Sequence, residues 1–261
     1  MNQALVEAFT ARRETAGVFL DFDGTLSYIV HRPGDARPVE GTREVLADIA
    51  RCYGLVAVVS GRSAHDLLEW LGPQIEIWGV HGAERTVDGT VVLSDRAKPF
   101  EDLIAAVREE AAEMMAATGL QGIFLEDKRV MLGLHFRAAE DVPRAERELE
   151  AIAETLAEKH GLRRAGGRLA YELRPPEDFS KAAVVLDRSR ELGLNAGAFV
   201  GDDRVDLPGF DALDLLADEG DFVSLRVAVD SDEGPLELME RADVVVDGPP
   251  AAVSFLRGLV P

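Results

Sequence analysis

Short apolar runs recur along the chain, at Gly17-Val18-Phe19-Leu20, Leu55-Val56-Ala57-Val58-Val59, Gly197-Ala198-Phe199-Val200, Leu225-Arg226-Val227-Ala228-Val229 and Asp243-Val244-Val245-Val246. Most are continuous rather than alternating, as expected of strands covered on both faces of a parallel sheet. Between them, amphipathic spacing predicts helices over Glu40 to Arg51, Ala64 to Leu71, Lys181 to Leu192 and Leu207 to Ala217. Strand–helix alternation of this kind predicts a doubly wound, Rossmann-like α/β core with a parallel sheet.

One stretch breaks the alternation. A helix is predicted over Phe100 to Thr118, closed by Gly119 as its C-cap. Strands come next over Gly122 to Lys128 and Val130 to Arg137, then a second long helix from Val142 to His160. A last pair of strands, around Leu162 to Arg174, is expected to turn at Gly166-Gly167. The order αββαββ describes an antiparallel sheet with two helices, an α+β domain inserted into the core. The expected division is 1–98 with 175–261 for the core and 99–174 for the insertion, with boundaries near Lys98 and Pro175-Pro176.

Hydrophobic residues make up 47% of the 261 positions, ample for two cores, while aromatics are only 6%, which suits an Ala/Val/Leu-rich α/β protein better than a β-sandwich. The formal charge is -20, from 28 basic and 48 acidic residues. Such a surface repels nucleic acid and anionic membranes, so neither is expected as a partner. An anionic substrate must then be attracted locally, by a metal ion and a few placed cations. Cys52 is the only cysteine, so no internal disulfide can form, and a reducing compartment is expected. Its setting reads as packing, as do those of Trp70 and Trp78. The stretch Met1 to Gly17 is charged throughout and lacks an apolar signal core, and no apolar run of membrane-spanning length occurs; the expected location is cytoplasmic.

The chemistry lies in the residues just after the apolar runs. The first run meets Asp21-Phe22-Asp23-Gly24-Thr25, the second Ser60-Gly61-Arg62, the third Gly201-Asp202-Asp203-Arg204-Val205-Asp206. Open parallel sheets bind ligands beyond the carboxyl ends of their strands, so the three clusters can converge. On an extended strand end Asp21 and Asp23 point the same way, and two carboxylates so close demand a cation or a shared proton. Mg²⁺ accepts one or two carboxylates together with waters and phosphate oxygens. One Asp can attack phosphorus and the other can serve as acid and base; equally, two Asp residues at such a junction can form a turn that caps a helix. Gly24 permits the turn, and Thr25 can offer a hydroxyl to phosphate. Ser60 and the following Gly61 N–H can hold a phosphate oxygen with Arg62 nearby, or Ser60 or Ser63 can cap the next helix. Lys181 opens a helix, where a cation opposes the macrodipole; a phosphate or the attacking carboxylate would give it a partner, and a solvated surface lysine is the plain alternative. Asp202 is placed to complete a magnesium site with Asp21 and Asp23, and Asp203 or Asp206 to hold Lys181 or a metal-bound water, or to cap the next helix. The five histidines lack metal-ligand spacing, so transition-metal chemistry has no support.

In this order the clusters resemble the four motifs of the haloacid dehalogenase superfamily of phosphatases, over nearly the whole chain. A closer resemblance is to the trehalose-6-phosphate phosphatases, carried by LDFDGTLSYIVHRPGDARP, VVSGR, GVHGAE at Gly79 to Glu84, LEDKRVMLGLHFR at Leu125 to Arg137 and YELRP at Tyr171 to Pro175. The resemblance implies an α+β cap that reads the sugar. It makes Asp21, Asp23, Ser60 and Lys181 catalytic; Asp21, Asp202 and the Asp23 backbone carbonyl ligands of Mg²⁺; and Thr25, Gly61, Arg62, His81, Glu126, Lys128, Glu172 and Arg174 substrate-binding. His135 and Arg137 are candidates for the same cap or for support of its sheet. The family pattern GDDxTDE reads GDDRVDLPGF here, and Lys-Gly reads Lys181-Ala182, departures that bear on substrate or turnover. The implied activity is Mg²⁺-dependent hydrolysis of trehalose 6-phosphate through an aspartyl phosphate, by a monomer or weak homodimer whose partner is a small sugar phosphate. The alternatives are a related phosphatase acting on another sugar phosphate or phosphoglycerate conjugate, and a regulatory homologue with weakened turnover.

Overall fold

The structure is a computed structural model that describes residues 2–30, 33–167, 169–177, 179–231 and 234–261. His31 and Arg32 of the LDFDGTLSYIVHRPGDARP segment lie outside the described residues, as do Met1 and Asp178. The chain divides into two compact units, Met1–Val92 with Phe179–Pro261, and Leu93–Asp178. The second unit contains the whole αββαββ stretch.

The elements run in chain order α1 (Gln3–Thr10), β1 (Ala16–Leu20), α2 (Thr42–Ala50), β2 (Leu55–Val59), α3 (Ala64–Leu71), β3 (Glu76–Gly79), β4 (Glu84–Val87), β5 (Thr90–Leu93), α4 (Glu101–Ala117), β6 (Phe124–Asp127), β7 (Leu132–His135), α5 (Val142–His160), β8 (Arg163–Gly167), β9 (Ala170–Arg174), α6 (Lys181–Glu191), β10 (Ala196–Gly201), α7 (Leu207–Glu219), β11 (Val223–Asp230), α8 (Leu236–Arg241), β12 (Val244–Asp247) and α9 (Gly248–Gly258). The large sheet has the order β12-β11-β10-β1-β2-β3-β4-β5. Its pairs from β12 to β3 are parallel, and β4 runs antiparallel to β3. The order reverses at β1, which lies between β2 and β10, so the carboxyl ends of these three strands form the switch-point crevice.

The continuous apolar runs are explained by two separate cores. Along β1, Val18 and Leu20 enter one cluster with Phe9, Leu46, Ile49, Leu67 and Leu256, from α1, α2, α3 and α9. Phe19, between them, enters another with Val185, Phe210, Leu213 and Leu238, from α6, α7 and α8. Successive side chains point to opposite faces of the sheet, and each fully buried Val, Leu or Phe contributes roughly 1.5–3 kcal/mol of transfer free energy. Cys52 packs half-buried against the first cluster, and Trp78 is buried in the second. No helix among the described residues is long and apolar enough to cross a membrane.

In the second unit the order β6-β7-β9-β8 is antiparallel throughout. Leu132, Leu134, Tyr171 and Leu173 point from it onto Ile104, Val107, Leu149, Ile152 and Leu156 of α4 and α5. Two expected boundaries move. Gly122 takes φ +76 and lies outside the ladder, so β6 starts at Phe124. Gly166 and Gly167 pair within β8, and the register Gly167↔Ala170 moves the reversal beyond both glycines, with Leu169 at φ +60; Arg168 is outside the described residues. Helix α2 also starts later than its pattern, at Thr42, because Gly41 sits at φ +83. Strand β3, the hairpin of β4 and β5 and the helices α1, α8 and α9 are additions to the expected set. The hairpin turn is Asp88-Gly89, both at positive φ, the pattern of a two-residue primed turn.

Candidate active site

Asp21 comes directly after β1, and its N–H donates to Val200 O at 2.9 Å, continuing the pairing of β1 with β10. The chain then turns back: the N–H groups of Thr25, Leu26 and Ser27 all point at Phe22 O, and Gly24 N–H donates to Ser27 O at 2.7 Å. Gly24 is required twice over. Its φ is +79, and a Cβ there would lie 1.9 Å from Asp202 Oδ2. The turn therefore lets the end of β10 bring its first carboxylate against the end of β1.

Lys181, the first residue of α6, is 3% exposed and donates to Asp21 Oδ1 and Asp206 Oδ1, each at 2.6 Å. The surface-lysine reading is thereby overturned, because two buried carboxylates supply the partners that a cation at a helix start needs. Asp206 Oδ2 accepts the N–H groups of Asp202 at 3.0 Å and Asp203 at 3.1 Å. Asp206 thus both holds Lys181 and closes a capping box with Asp203 over the turn 204–206. Gly201 makes room for it, since a Cβ there would be 2.3 Å from Asp206 Cγ. Thr25 is buried and donates to Asp202 Oδ1 at 3.2 Å.

Carboxylate oxygens of Asp21, Asp202 and Asp206 lie within 4.8 Å of one another. Three carboxylates and one ammonium in a buried space leave a net charge near -2. Burial pushes the Asp21 carboxyl up to about 7, against the pull of Lys181 and with a further push from Asp206. Burial, then Asp21, then Asp206 push Asp202 up to about 8. Lys181 is held above the ordinary lysine value, since Asp206 and Asp21 outweigh its burial. A hard divalent cation answers this imbalance, and the all-oxygen donor set suits Mg²⁺. Asp206 is already engaged through both oxygens, so Asp21 and Asp202 are the side chains able to hold the ion. The Asp23 side chain stands outside the carboxylate group, which leaves only its backbone carbonyl for the ligand role expected of it.

Asp23 is taken by Arg62: Nε donates to Oδ2 and Nη2 to Oδ1, both at 2.7 Å. Arg62 and Thr25, expected on phosphate, are therefore both engaged by carboxylates. Ser60 comes directly after β2, its N–H donating to Trp78 O at 3.0 Å, and its Oγ accepts the Arg62 N–H at 3.3 Å. The cap of α3 is Ser63, which accepts from Asp66 N–H at 3.2 Å, so Ser60 is not the cap of that helix. Glu84 Oε2 accepts the neighbouring Ala64 N–H at 2.8 Å. His81 is brought alongside by a strained turn. Val80 and His81 take φ +50 and +58, and their N–H groups donate to Arg62 O at 2.8 Å and Ser60 O at 2.9 Å. Left-handed backbone costs a β-branched residue of order 1–3 kcal/mol. A Cβ on Gly61 would meet the His81 ring at 2.9 Å.

The departures from the family pattern fall clear of these bonds. Val205 is exposed, and Leu207 is buried in the core with Phe210. Two contributors lie outside the expected site residues. Phe22 and Trp70 stack at 5.4 Å, and the Arg62 guanidinium lies over both rings. Trp70, expected in the core, is half-buried. The signal available for it is its place, two turns along the helix that starts beside Ser60-Gly61-Arg62.

In the second unit, Glu126 of β6, Gly133 of β7 and Glu172 of β9 stand directly opposite one another, and His135 and Arg174 lie two residues away on the same face. A Cβ on Gly133 would be 2.7 Å from His135 Nε2 and 3.2 Å from Glu126 Oε2, so the glycine clears space for the charged side chains. Lys128 Nζ lies 2.9 Å from Glu172 Oε1 and 3.6 Å from Glu126 Oε2, and Arg174 Nε donates to Glu172 Oε2 at 2.8 Å. Burial pushes the Glu172 carboxyl up, but Lys128 and Arg174 outweigh it and hold it down at about 2. The hydrogen bond from His135, at 2.9 Å, holds Glu126 below the usual carboxylate range. Glu126, Lys128, Glu172 and Arg174 therefore form one polar cluster, to which His135 is tied. Arg137 is exposed beyond the end of β7.

Residues 19–233 match the model of the trehalose-phosphatase family. A trehalose-phosphate phosphatase of Mycobacterium leprae is 36% identical over 222 residues, 80% of this chain and 50% of that protein. One of Mycobacterium tuberculosis (strain H37Rv) is 33% identical over 261 residues, 96% of this chain and 62% of that protein. The chain thus spans about half to three fifths of the length of these relatives. A crystal structure of a trehalose-6-phosphate phosphatase related protein superposes with a TM-score of 0.74 at 21% identity, covering 93% of this chain and 96% of that one, and shows the shared fold. The family match covers most of the chain, from the last strand residues before Asp21 to beyond Asp206: the chain belongs to the trehalose-phosphatase family.

Proposed function

We propose that this chain is a Mg²⁺-dependent phosphatase that hydrolyses trehalose 6-phosphate to trehalose and phosphate through an aspartyl phosphate on Asp21. The observation that carries the reading is the contact of Asp21 with Lys181 at 2.6 Å, at the carboxyl end of β1 and beside Asp202. A buried carboxylate there is oriented by a fixed cation and faces the crevice where phosphate ligands bind in such sheets. A divalent cation held by Asp21, Asp202 and the Asp23 carbonyl would neutralise phosphate oxygens and the surplus charge of the acidic residues.

Asp21 attacks phosphorus with a carboxylate oxygen, and the bond from phosphorus to the sugar oxygen breaks. Asp23, in its protonated form, gives its proton to that oxygen. It then takes a proton from the water that attacks phosphorus, and the acyl phosphate bond breaks to restore Asp21. Lys181 and the Ser60 hydroxyl, with the Gly61 N–H, stabilise charge on the transferring group. The domain at 99–174 acts as the cap, with Glu126, Lys128, Glu172 and Arg174 as the hydrogen-bonding set for sugar hydroxyls, and His81 adds a contact at the core. The names of the mycobacterial relatives support the substrate. The bonds kept by Asp202 and Asp206, despite the changed GDDRVDLPGF loop, support turnover. One cysteine in 261 residues suits the cytoplasm, and a monomer or weak homodimer is the assembly we assign.

The test is phosphate release from trehalose 6-phosphate and from glucose 6-phosphate, with Mg²⁺ and with EDTA. Trehalose 6-phosphate should be preferred, Mg²⁺ required, and Asp21→Asn inactive while it melts as a folded protein. Unchanged release by Asp21→Asn would sink the mechanism, and a preference for another phosphate ester would sink the substrate.

A further inference from the structure

The bidentate pair of Arg62 and Asp23 differs from an ordinary surface ion pair in what stands behind it. A guanidinium–carboxylate fork fixes the distance and the rotation of the carboxylate together. The guanidinium carbon lies 5.3 Å from the Trp70 ring centroid and 5.6 Å from that of Phe22, and the two rings stack on each other at 5.4 Å with 27° between their planes. A cation over an aromatic face at this range is attracted by the ring's quadrupole. The Arg37 guanidinium also lies over Trp70, at 5.3 Å, and its Nη1 donates to Gly34 O and Ala36 O. The Arg62 main chain is held as well, by Ser60 Oγ at its N–H and by Val80 N–H at its carbonyl. The Arg62 side chain is 13% exposed, whereas that of Asp23 is 37% exposed. One end of the pair is anchored, and the other reaches open space.

We propose that Arg62 and Trp70 are positioning residues for Asp23: the aromatic pair pins the guanidinium, and the guanidinium pins the ionised Asp23 carboxylate in the orientation from which it takes a proton from the attacking water. The proposal rests on the role given to Asp23 under the proposed function. It separates Arg62 from phosphate recognition. The Nε and Nη2 donors committed to Asp23 do not address a phosphate, so loss of the fork should disturb the proton-transfer group and leave phosphate binding intact. Trp70 contacts the Arg62 guanidinium and acts through it.

The experiment measures kcat and KM for phosphate release, and the inhibition constant of inorganic phosphate, in Arg62→Lys, Trp70→Leu and Trp70→Phe. Misplacing a catalytic group by about 1 Å costs up to about 100-fold in rate. Arg62→Lys and Trp70→Leu should therefore lower kcat by roughly 10- to 100-fold, with KM and the phosphate inhibition constant within about threefold of the parent. Trp70→Phe, which keeps a ring under the guanidinium, should recover most of the rate lost in Trp70→Leu. A tenfold weaker phosphate inhibition with kcat kept would overturn the proposal and return Arg62 to phosphate binding. Equal rates in Trp70→Leu and the parent would overturn the role of Trp70. Full activity in Asp21→Asn would instead condemn the underlying phosphatase mechanism. Loss of activity there, with Arg62→Lys unchanged, would refute the positioning role alone.

Discussion

Replacing Lys181 by methionine tests the charge balance on which the candidate site depends. The substitution keeps most of the volume of the side chain and removes its charge. Lys181 is 3% exposed, and its partners Asp21 and Asp206 are 8% and 0% exposed, at 2.6 Å each. Breaking a buried ion pair by deleting one partner costs about 3–5 kcal/mol, because the other is left buried without compensation. Here two carboxylates lose their cation together, so the upper half of that range is expected where both are ionised. For a protein of this size each kcal/mol moves Tm by roughly 2–4 °C, so about 4–5 kcal/mol should lower it by on the order of 8–20 °C. The loss should be smaller at pH 6 than at pH 8, because a proton on Asp21 can replace part of the missing charge. Mg²⁺ at about a hundred times its Kd should restore roughly 2.7 kcal/mol. The assay is urea unfolding in EDTA and in Mg²⁺ at both pH values. A Lys181→Met protein within about 1 kcal/mol of the parent at pH 8 in EDTA would refute the reasoning, since it would mean that the carboxylates are compensated from elsewhere.

Three further outcomes rest on the same geometry. Gly24→Ala places a methyl 1.9 Å from Asp202 Oδ2 on a backbone at φ +79; Mg²⁺-dependent activity should fall by about 100-fold, and a kinetic titration with Mg²⁺ that matches the parent would contradict the fit. In EDTA the stability of the whole protein should decline as pH rises from about 5 to 9: Asp21 and Asp202 are raised from 3.8 to about 7 and 8, so the proton-bound contribution is full below pH 4 and is lost through those values. Urea midpoints that rise over this range would exclude buried, uncompensated carboxylates. Glu172 titrates the other way. Its value falls from 4.5 to about 2, so its contribution is full above pH 4.5 and disappears as pH falls toward 2; the protection of β9 amides, taken relative to their intrinsic exchange rates, should fall over that interval in the parent, and Glu172→Gln should flatten the response.

Much of the fold and the site is legible in the sequence because three signals agree. The runs at β1, β2 and β10 are continuous because both faces of those strands are buried, in different clusters. Each run ends on polar residues with a glycine, and the glycines at 24, 61 and 201 are the positions where a Cβ would strike Asp202, His81 or Asp206. The capping roles are harder to assign. Ser60 and Ser63 have the same hydroxyl, and only the hydrogen bond from Asp66 N–H to Ser63 separates them. The carboxylate partners of Arg62 and Thr25 are hidden from a sequence reading because phosphate and carboxylate attract the same donors, and spacing carries no information on which is nearer. Trp70 reads as core because an indole among leucines looks apolar, although its ring also offers a face to a cation. The β4–β5 hairpin is present as Asp88-Gly89 between Val87 and Thr90, but its strands have only four residues each, too short to stand out.

The sheet order has a consequence for how the protein is made. Strand β1 is seated between β2 and β10, and its register joins Ala16 to Ala196, 180 positions further along the chain. At about 5–20 residues per second, a ribosome takes roughly 9–36 s to bring the second of these out after the first. The 93–178 unit leaves before β10 does and has its own hydrophobic core. The nascent chain therefore carries an exposed, half-paired β1 through that whole interval. Until β10 emerges, the β10-facing edge of β1 is the edge open to wrong pairing during synthesis.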